Sequence, residues 1–262
     1  VVEALDHMLP MLDGDLTKIG VAHMKKMGME FNLECPVQSV EESPVGAKVV
    51  CKNKAGETVS FEAEKVLVAI GRKANTASLN LEAGKIDNDR GRIIVNDKME
   101  TSVPGVYAIG DASAAVQLAH VAAAQGTDCV ERMCGGKGSI DLNVIPSCIY
   151  SAPEIAAVGL AEAEAREQGI PAVSGKCTLF SNARTIIEDP GRCFMKLVAD
   201  RDTGRLIGAQ LMCQHASDMI SQLSTAMVNR LTVEQLLTVM RPHPSFEEAL
   251  GEAMENLASK LA

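Results

Sequence analysis

"TSVPGVYAIGDA", residues 101–112, packs a turn, a strand and a corner into one short stretch. Pro104-Gly105 is turn chemistry, and Val106 to Ile109 favour an extended backbone. Asp111 then follows between Gly110 and Ala112. A carboxylate just past a strand sits where α/β sheets present their ligands, over the carboxyl ends of the strands, and small neighbours let another backbone come close. The competing reading makes Asp111 an ordinary cap for the helix that follows. Spacing alone does not separate the two.

Upstream, "DGDLTKIGVAHMKKMGMEF" (13–31) keeps Leu16, Ile19, Met24 and Met27 at helical spacing. Asp15 is expected to cap its start, with lysines in the last turn and Gly28 closing it. The apolar, strand-like "VVEAL" precedes it, so the chain reads as beginning inside an α/β domain. From 37 to 70 the period changes to two: "VQSVEE", "AKVVCKN", "TVSFEAE" and "KVLVAIG" read as an antiparallel meander feeding a buried strand. "GRIIVND" and "PGVYAIGDA" continue the β pattern, and 114–134 turns helical. "CGGKGSI" (134–140) is the best linker. Beyond it, "IPSCIYS", "EIAAVGL", "CFMKLVAD" and "RLIGAQLMC" read as strands, and helices are expected near 161–169, 215–229, 233–239 and 246–260. The predicted class is α/β plus α+β: a partial Rossmann-like domain with a meander over 1–97, a connecting segment over 98–138 and a C-terminal α+β domain over 139–262.

The chain has 262 residues, 47% hydrophobic and 23% charged, and a formal net charge of −9. That acidity, with no Lys/Arg cluster, argues against a nucleic-acid partner. The longest apolar runs fall far short of the ~20 residues of a membrane span, and the first residues lack a signal-peptide pattern, so a cytoplasmic protein is expected. Eight scattered cysteines without a Cys-x-x-Cys pair read as reduced core thiols. No metal site is expected; the 13 methionines read as core filling.

Two further places invite chemistry. Glu3 ends the first strand-like stretch, where an acidic residue in a dinucleotide-binding fold binds ribose hydroxyls; the Gly-rich turn that should precede it is absent, and a solvated strand-end glutamate competes. In "MRPHPSFEEALGEA" (240–253), His243 is held between Pro242 and Pro244, with Glu248 five residues on. Either His243 is a structural histidine in a turn and Glu248 an acidic residue of a first helical turn, or the two form a proton-transfer pair. "CVERMC" (129–134) offers a Cys-x4-Cys spacing, but helical residues five apart are rotated by about 140°, beyond disulfide reach, so Cys129 and Cys134 are read as helix packing residues.

The order of these stretches resembles the pyridine nucleotide-disulfide oxidoreductases, and within them the dihydrolipoamide dehydrogenase branch. "TSVPGVYAIGDA" followed by "LAHVAAAQG" resembles the second flavin motif. "VLVAIGRKAN" resembles the strand closing the NAD domain, "APEIAAVGL" the start of the interface domain, and "RPHPSFEEAL" the His-Pro-x-x-x-Glu signature. The resemblance implies that Asp111 binds the FAD ribityl chain, with Gln117, Leu118, Ala119 and His120 along the flavin. His120 keeps the competing reading of a buried helix histidine. By the same resemblance Glu3 holds the NAD adenosine ribose, Val37 contacts the adenine and Gly71 lies near the dinucleotide. His243 is implied as acid/base for the redox thiols, oriented by Glu248. Residues 1–97 would then be part of an NAD domain, 98–138 a remnant of the FAD domain and 139–262 a dimerisation domain. The implied partners are a second copy of the chain and a lipoyl domain of a 2-oxoacid dehydrogenase or glycine cleavage complex. The family's Gly-rich ADP-binding turn and redox Cys-x4-Cys are missing, so the chain is expected to be the C-terminal half to three-fifths of a longer enzyme and inactive alone. A sibling disulfide reductase of the same fold, or a non-catalytic dimerisation module, are the alternatives.

Overall fold

The structure, a computed structural model, describes residues 1–261. It divides into two compact units, one formed by Val1–Val66 with Pro146–Ala262, the other by Leu67–Ile145.

In the first unit, helix α1 (Gly14–Lys26) is capped by Asp13 rather than by Asp15: Asp13 Oδ1 accepts from the Asp15 amide at 2.9 Å. The expected cap moves because the Asp15 carboxylate is drawn away to Lys176 at 2.5 Å and Lys196 at 3.1 Å. Gly28 does close the helix, with φ +93°. "VVEAL" forms only an isolated bridge, Val2 with Asn32. Strands β1 (Val37–Ser43), β2 (Gly46–Lys52) and β3 (Thr58–Ala63) make the expected antiparallel meander in that order. Its own small core is Cys35, Val49 and Cys51 under Val2, Val59 and Phe61.

The second unit departs from expectation. "KVLVAIG" joins no ladder, and Leu67 and Ile70 are 91% and 92% exposed. A strand buried on both faces takes backbone bonds from neighbours on its edges, and among the described residues no strand lies beside this one. "GRIIVND" shrinks to β5 (Arg92–Ile93), paired with β4 (Asn88–Asp89), and "PGVYAI" to a Glu100–Tyr107 bridge. A 3-10 turn at Gly110–Ala112 leads to helix α2 (Ala119–Met133), which starts five residues later than its pattern suggests.

Pro146 returns the chain to the first unit. Strands β6 (Ser147–Ile149) and β7 (Glu154–Gly159), helix α3 (Glu162–Glu167), strand β8 (Ala172–Thr178), helix α4 (Ala183–Glu188) and strands β9 (Phe194–Asp200) and β10 (Leu206–Cys213) follow in turn, ending in helices α5 (Ala216–Val228), α6 (Val233–Leu237) and α7 (Glu248–Ala258). The five strands form one antiparallel sheet in the order β6-β7-β10-β9-β8. Strand β8 and helix α4 have no counterpart in the sequence reading.

Alternation along the strands gives the sheet two faces. Ile155, Phe194 and Met212 pack against Leu16 of α1, while Gly175 meets α7, where a Cβ would lie 2.2 Å from the Ala253 carbonyl oxygen. Both faces are therefore covered, and β9 and β10 are buried almost end to end. One cation breaks the apolar run: Lys196 of β9 is 4% exposed. Its Nζ lies 2.7 Å from Asp13 Oδ2, 3.1 Å from Asp15 Oδ2 and 3.7 Å from Glu162 Oε2. Burial opposes its charge, yet the bonds from Asp13 and Asp15 outweigh it and raise its pKa. The helix that starts at Asp13 is thus pinned to the sheet by charge as well as by Leu16.

Candidate active site

The last helix is entered through a tight turn. The His243–Pro244 peptide is cis, Phe246 is 4% exposed and anchors the chain, and α7 begins at Glu248. Ser245 Oγ donates to the Pro242 carbonyl at 2.6 Å, bracing the turn from within. The Glu248 carboxylate reaches back with both oxygens: Oε2 accepts from the Ser245 amide at 2.9 Å, and Oε1 lies 2.9 Å from His243 Nδ1. The Ser245 amide, and after it the His243 ring, hold the Glu248 carboxyl below its ordinary value. A carboxylate partner places the proton of the neutral ring on Nδ1, which leaves Nε2 as a base. The His243 side chain is 72% exposed, so that base faces outward. This is an oriented, accessible proton acceptor whose partner remains ionised.

Residues that the sequence reading did not single out complete the setting. Asn182, 5% exposed at the N-cap of α4, donates from Nδ2 to the Ser245 carbonyl at 2.8 Å. Arg241 braces the approach, with donors to the Leu236 and Val239 carbonyls at 3.3 and 3.1 Å. A cleft of about 350 Å³ lies beside the turn, lined by Arg184, His215, Asp218, Met219 and residues 244–247. The signal for Asn182 was present in "SNARTII", where an asparagine precedes a helix-competent run. Its bond to Ser245, 63 residues away, had no signal at all.

Glu3 and Val37 lie in the same unit. The Glu3 carbonyl accepts from Cys35, two residues before Val37, at 2.9 Å, and Glu3 Oε1 accepts from the Leu5 amide at 2.9 Å. Val37 opens β1 and is 46% exposed.

In the second unit Asp111 caps no helix. Leu118 is the N-cap of α2, with Ala119 and His120 opening it, and the Asp111 carboxylate faces Arg72 Nη1 at 3.5 Å. Arg72 also donates to the Gln117 carbonyl, and Gln117 Nε2 donates to the Asp111 carbonyl at 3.2 Å. Asp111, Gln117 and the neighbour of Gly71 therefore form one cluster, at a cleft of about 510 Å³ lined by Arg72, Lys73, Arg90, Arg92 and Gln117 among others. Gly110 is required at its corner: at φ +63°, a Cβ would fall 2.8 Å from that of Ala122. Gly71 sits at φ +98° in open space. Cys129 is buried in α2, but Cys134 is its exposed C-cap rather than a packing residue, because the helix ends one residue earlier; both thiols are free. Among the described residues no cluster of three or more His, Cys, Asp or Glu is placed to hold a metal ion, and no helix is long and apolar enough to cross a membrane.

The first unit thus combines a helix and an antiparallel meander with an α+β domain that presents an oriented histidine–glutamate pair. The family described as pyridine nucleotide-disulphide oxidoreductase matches residues 1–126, and its dimerisation domain matches residues 145–254. The chain belongs to this family. It is 36% identical over 255 residues to a dihydrolipoyl dehydrogenase of Bacillus subtilis (strain 168), covering 97% of this chain and 54% of that protein. To the mitochondrial dihydrolipoyl dehydrogenase of Pisum sativum it is 34% identical, over 97% of this chain and 51% of the relative. Among solved structures, LpdA from Mycobacterium tuberculosis superposes with a TM-score of 0.88 at 30% identity, over 98% of this chain and 56% of that one. The chain spans about half the length of the curated relatives it matches.

Proposed function

We propose that this chain is the proton-transfer and dimerisation portion of a flavoprotein disulfide reductase that oxidises dihydrolipoamide and reduces NAD⁺. The observation that carries the reading is the His243–Glu248 pair at 2.9 Å with its ring exposed. A thiolate is the nucleophile in disulfide exchange, so a dithiol substrate needs a base that takes its proton near neutral pH and returns it. His243 Nε2 is that base, and Glu248 fixes the tautomer and stabilises the imidazolium.

Asp111 fits a polyhydroxyl chain, since its half-exposed carboxylate keeps acceptor capacity beyond Arg72, with Gln117 to His120 alongside. Glu3, Val37 and Gly71 are assigned to the dinucleotide. When bound, FAD would accept the electrons and NAD⁺ would carry them away. The proposed division is 1–97 for NAD, 98–138 for FAD and 139–262 for dimerisation, with a second copy and a lipoyl domain as partners. The 262 residues alone are taken to be inactive, and the free thiols suit a reducing, cytoplasmic compartment.

His243→Gln in the whole protein should lower kcat by about 10²–10⁴-fold while flavin content stays unchanged. Loss of flavin instead would return His243 to a structural role. A clear preference for NADPH over NADH would move the assignment to a sibling reductase.

A further inference from the structure

We propose that Asn182 is a positioning residue for the His243–Glu248 pair, acting through the Ser245 carbonyl. The inference rests on the acid/base reading above and extends it to a residue outside the turn. Ser245 is the hub of that turn: its amide holds one oxygen of Glu248, its hydroxyl holds the Pro242 carbonyl, and its own carbonyl is held from outside. Asn182 supplies that outside hold from a buried site, and both ends of its side-chain amide are bonded. Oδ1 accepts from the Thr185 amide at 2.9 Å and the Thr185 hydroxyl at 3.1 Å, and Nδ2 donates to Ser245 at 2.8 Å.

The geometry makes the amide a two-ended clamp. One end starts α4 and the other fixes the Ser245–Phe246 peptide, which adjoins through Ser245 the peptide whose amide bonds Glu248. Without the clamp, Glu248 keeps its bond to the ring but loses the rigid anchor that orients it. Since a misplacement of about 1 Å can cost 10²-fold in rate, the loss should fall on kcat rather than on cofactor binding.

Two variants separate clamp from cap. Asn182→Ser keeps a short acceptor for the Thr185 amide and lacks the reach to Ser245. Asn182→Asp keeps the shape and the acceptor and turns an oxygen toward the Ser245 carbonyl. Hydrogen exchange on the whole protein should show the Ser245 amide about tenfold less protected in either variant, with β9 and β10 amides unchanged. In the whole protein, kcat should fall about tenfold or more with the KM for NAD⁺ unchanged, and this loss should shrink in a Glu248→Gln background. Unchanged exchange at Ser245, or effects of Asn182→Ser and Glu248→Gln that simply multiply, would overturn the proposal. If His243→Gln kept full turnover, the acid/base reading would fall, while the exchange measurement would still decide whether Asn182 holds the turn.

Discussion

Two regions of this chain use similar apolar sequence and reach opposite ends. "CFMKLVAD" becomes β9, paired on both sides and buried through Ala199, whereas "KVLVAIG" stays unpaired with Leu67 and Ile70 in solvent. Both are apolar runs containing residues favoured in strands, so local propensity does not distinguish them. The difference is partners. Strand β9 has β8 and β10 on its edges and helices on its faces; 65–75 has no neighbouring strand among the described residues. The proposed active-site turn is attached to the completed region.

The comparison is broken most forcefully at Lys196, the buried charge inside the completed region's central strands. Lys196→Met should cost about 3–5 kcal/mol in urea unfolding, because it leaves the buried Asp13 without its cation. Adding Asp13→Asn should recover most of that loss. Next, Gly175→Ala places a Cβ 2.2 Å from the Ala253 carbonyl oxygen and should cost about 1–3 kcal/mol. Leu67→Ala, in the unpaired region, should change stability by less than about 0.5 kcal/mol. A pH-dependent effect is expected with acid. Lys176 first, then Lys196, hold the Asp15 carboxyl at about 2 against an ordinary 3.8. A depressed carboxyl contributes stability above its unfolded pKa and loses it as pH falls through its folded one, so this contribution should fade between about pH 4 and pH 2, and Asp15→Asn should remove that dependence.

What the sequence made legible follows the same division. Helices α5, α6 and α7 and strands β7, β9 and β10 stand close to their patterns, because each carries its own period. Strand β8 was hidden by its small residues: "AVSGKCT" contains Gly175 because α7 comes too close for a side chain, and that reason lies in tertiary packing. The strand expected at 66–70 was misread because a buried strand is defined by neighbours that a local pattern does not contain. At the site, Pro-His-Pro with Glu248 was visible because the pair is local. The Asn182–Ser245 and Arg72–Asp111 contacts were not, since each joins distant stretches of chain.

Region-resolved hydrogen exchange on the 262-residue chain tests this contrast most directly. The account predicts that amides of β9 and β10 exchange only through global opening, while those of 66–71 exchange at nearly unfolded-chain rates. Protection of 66–71 equal to that of β9 would contradict it.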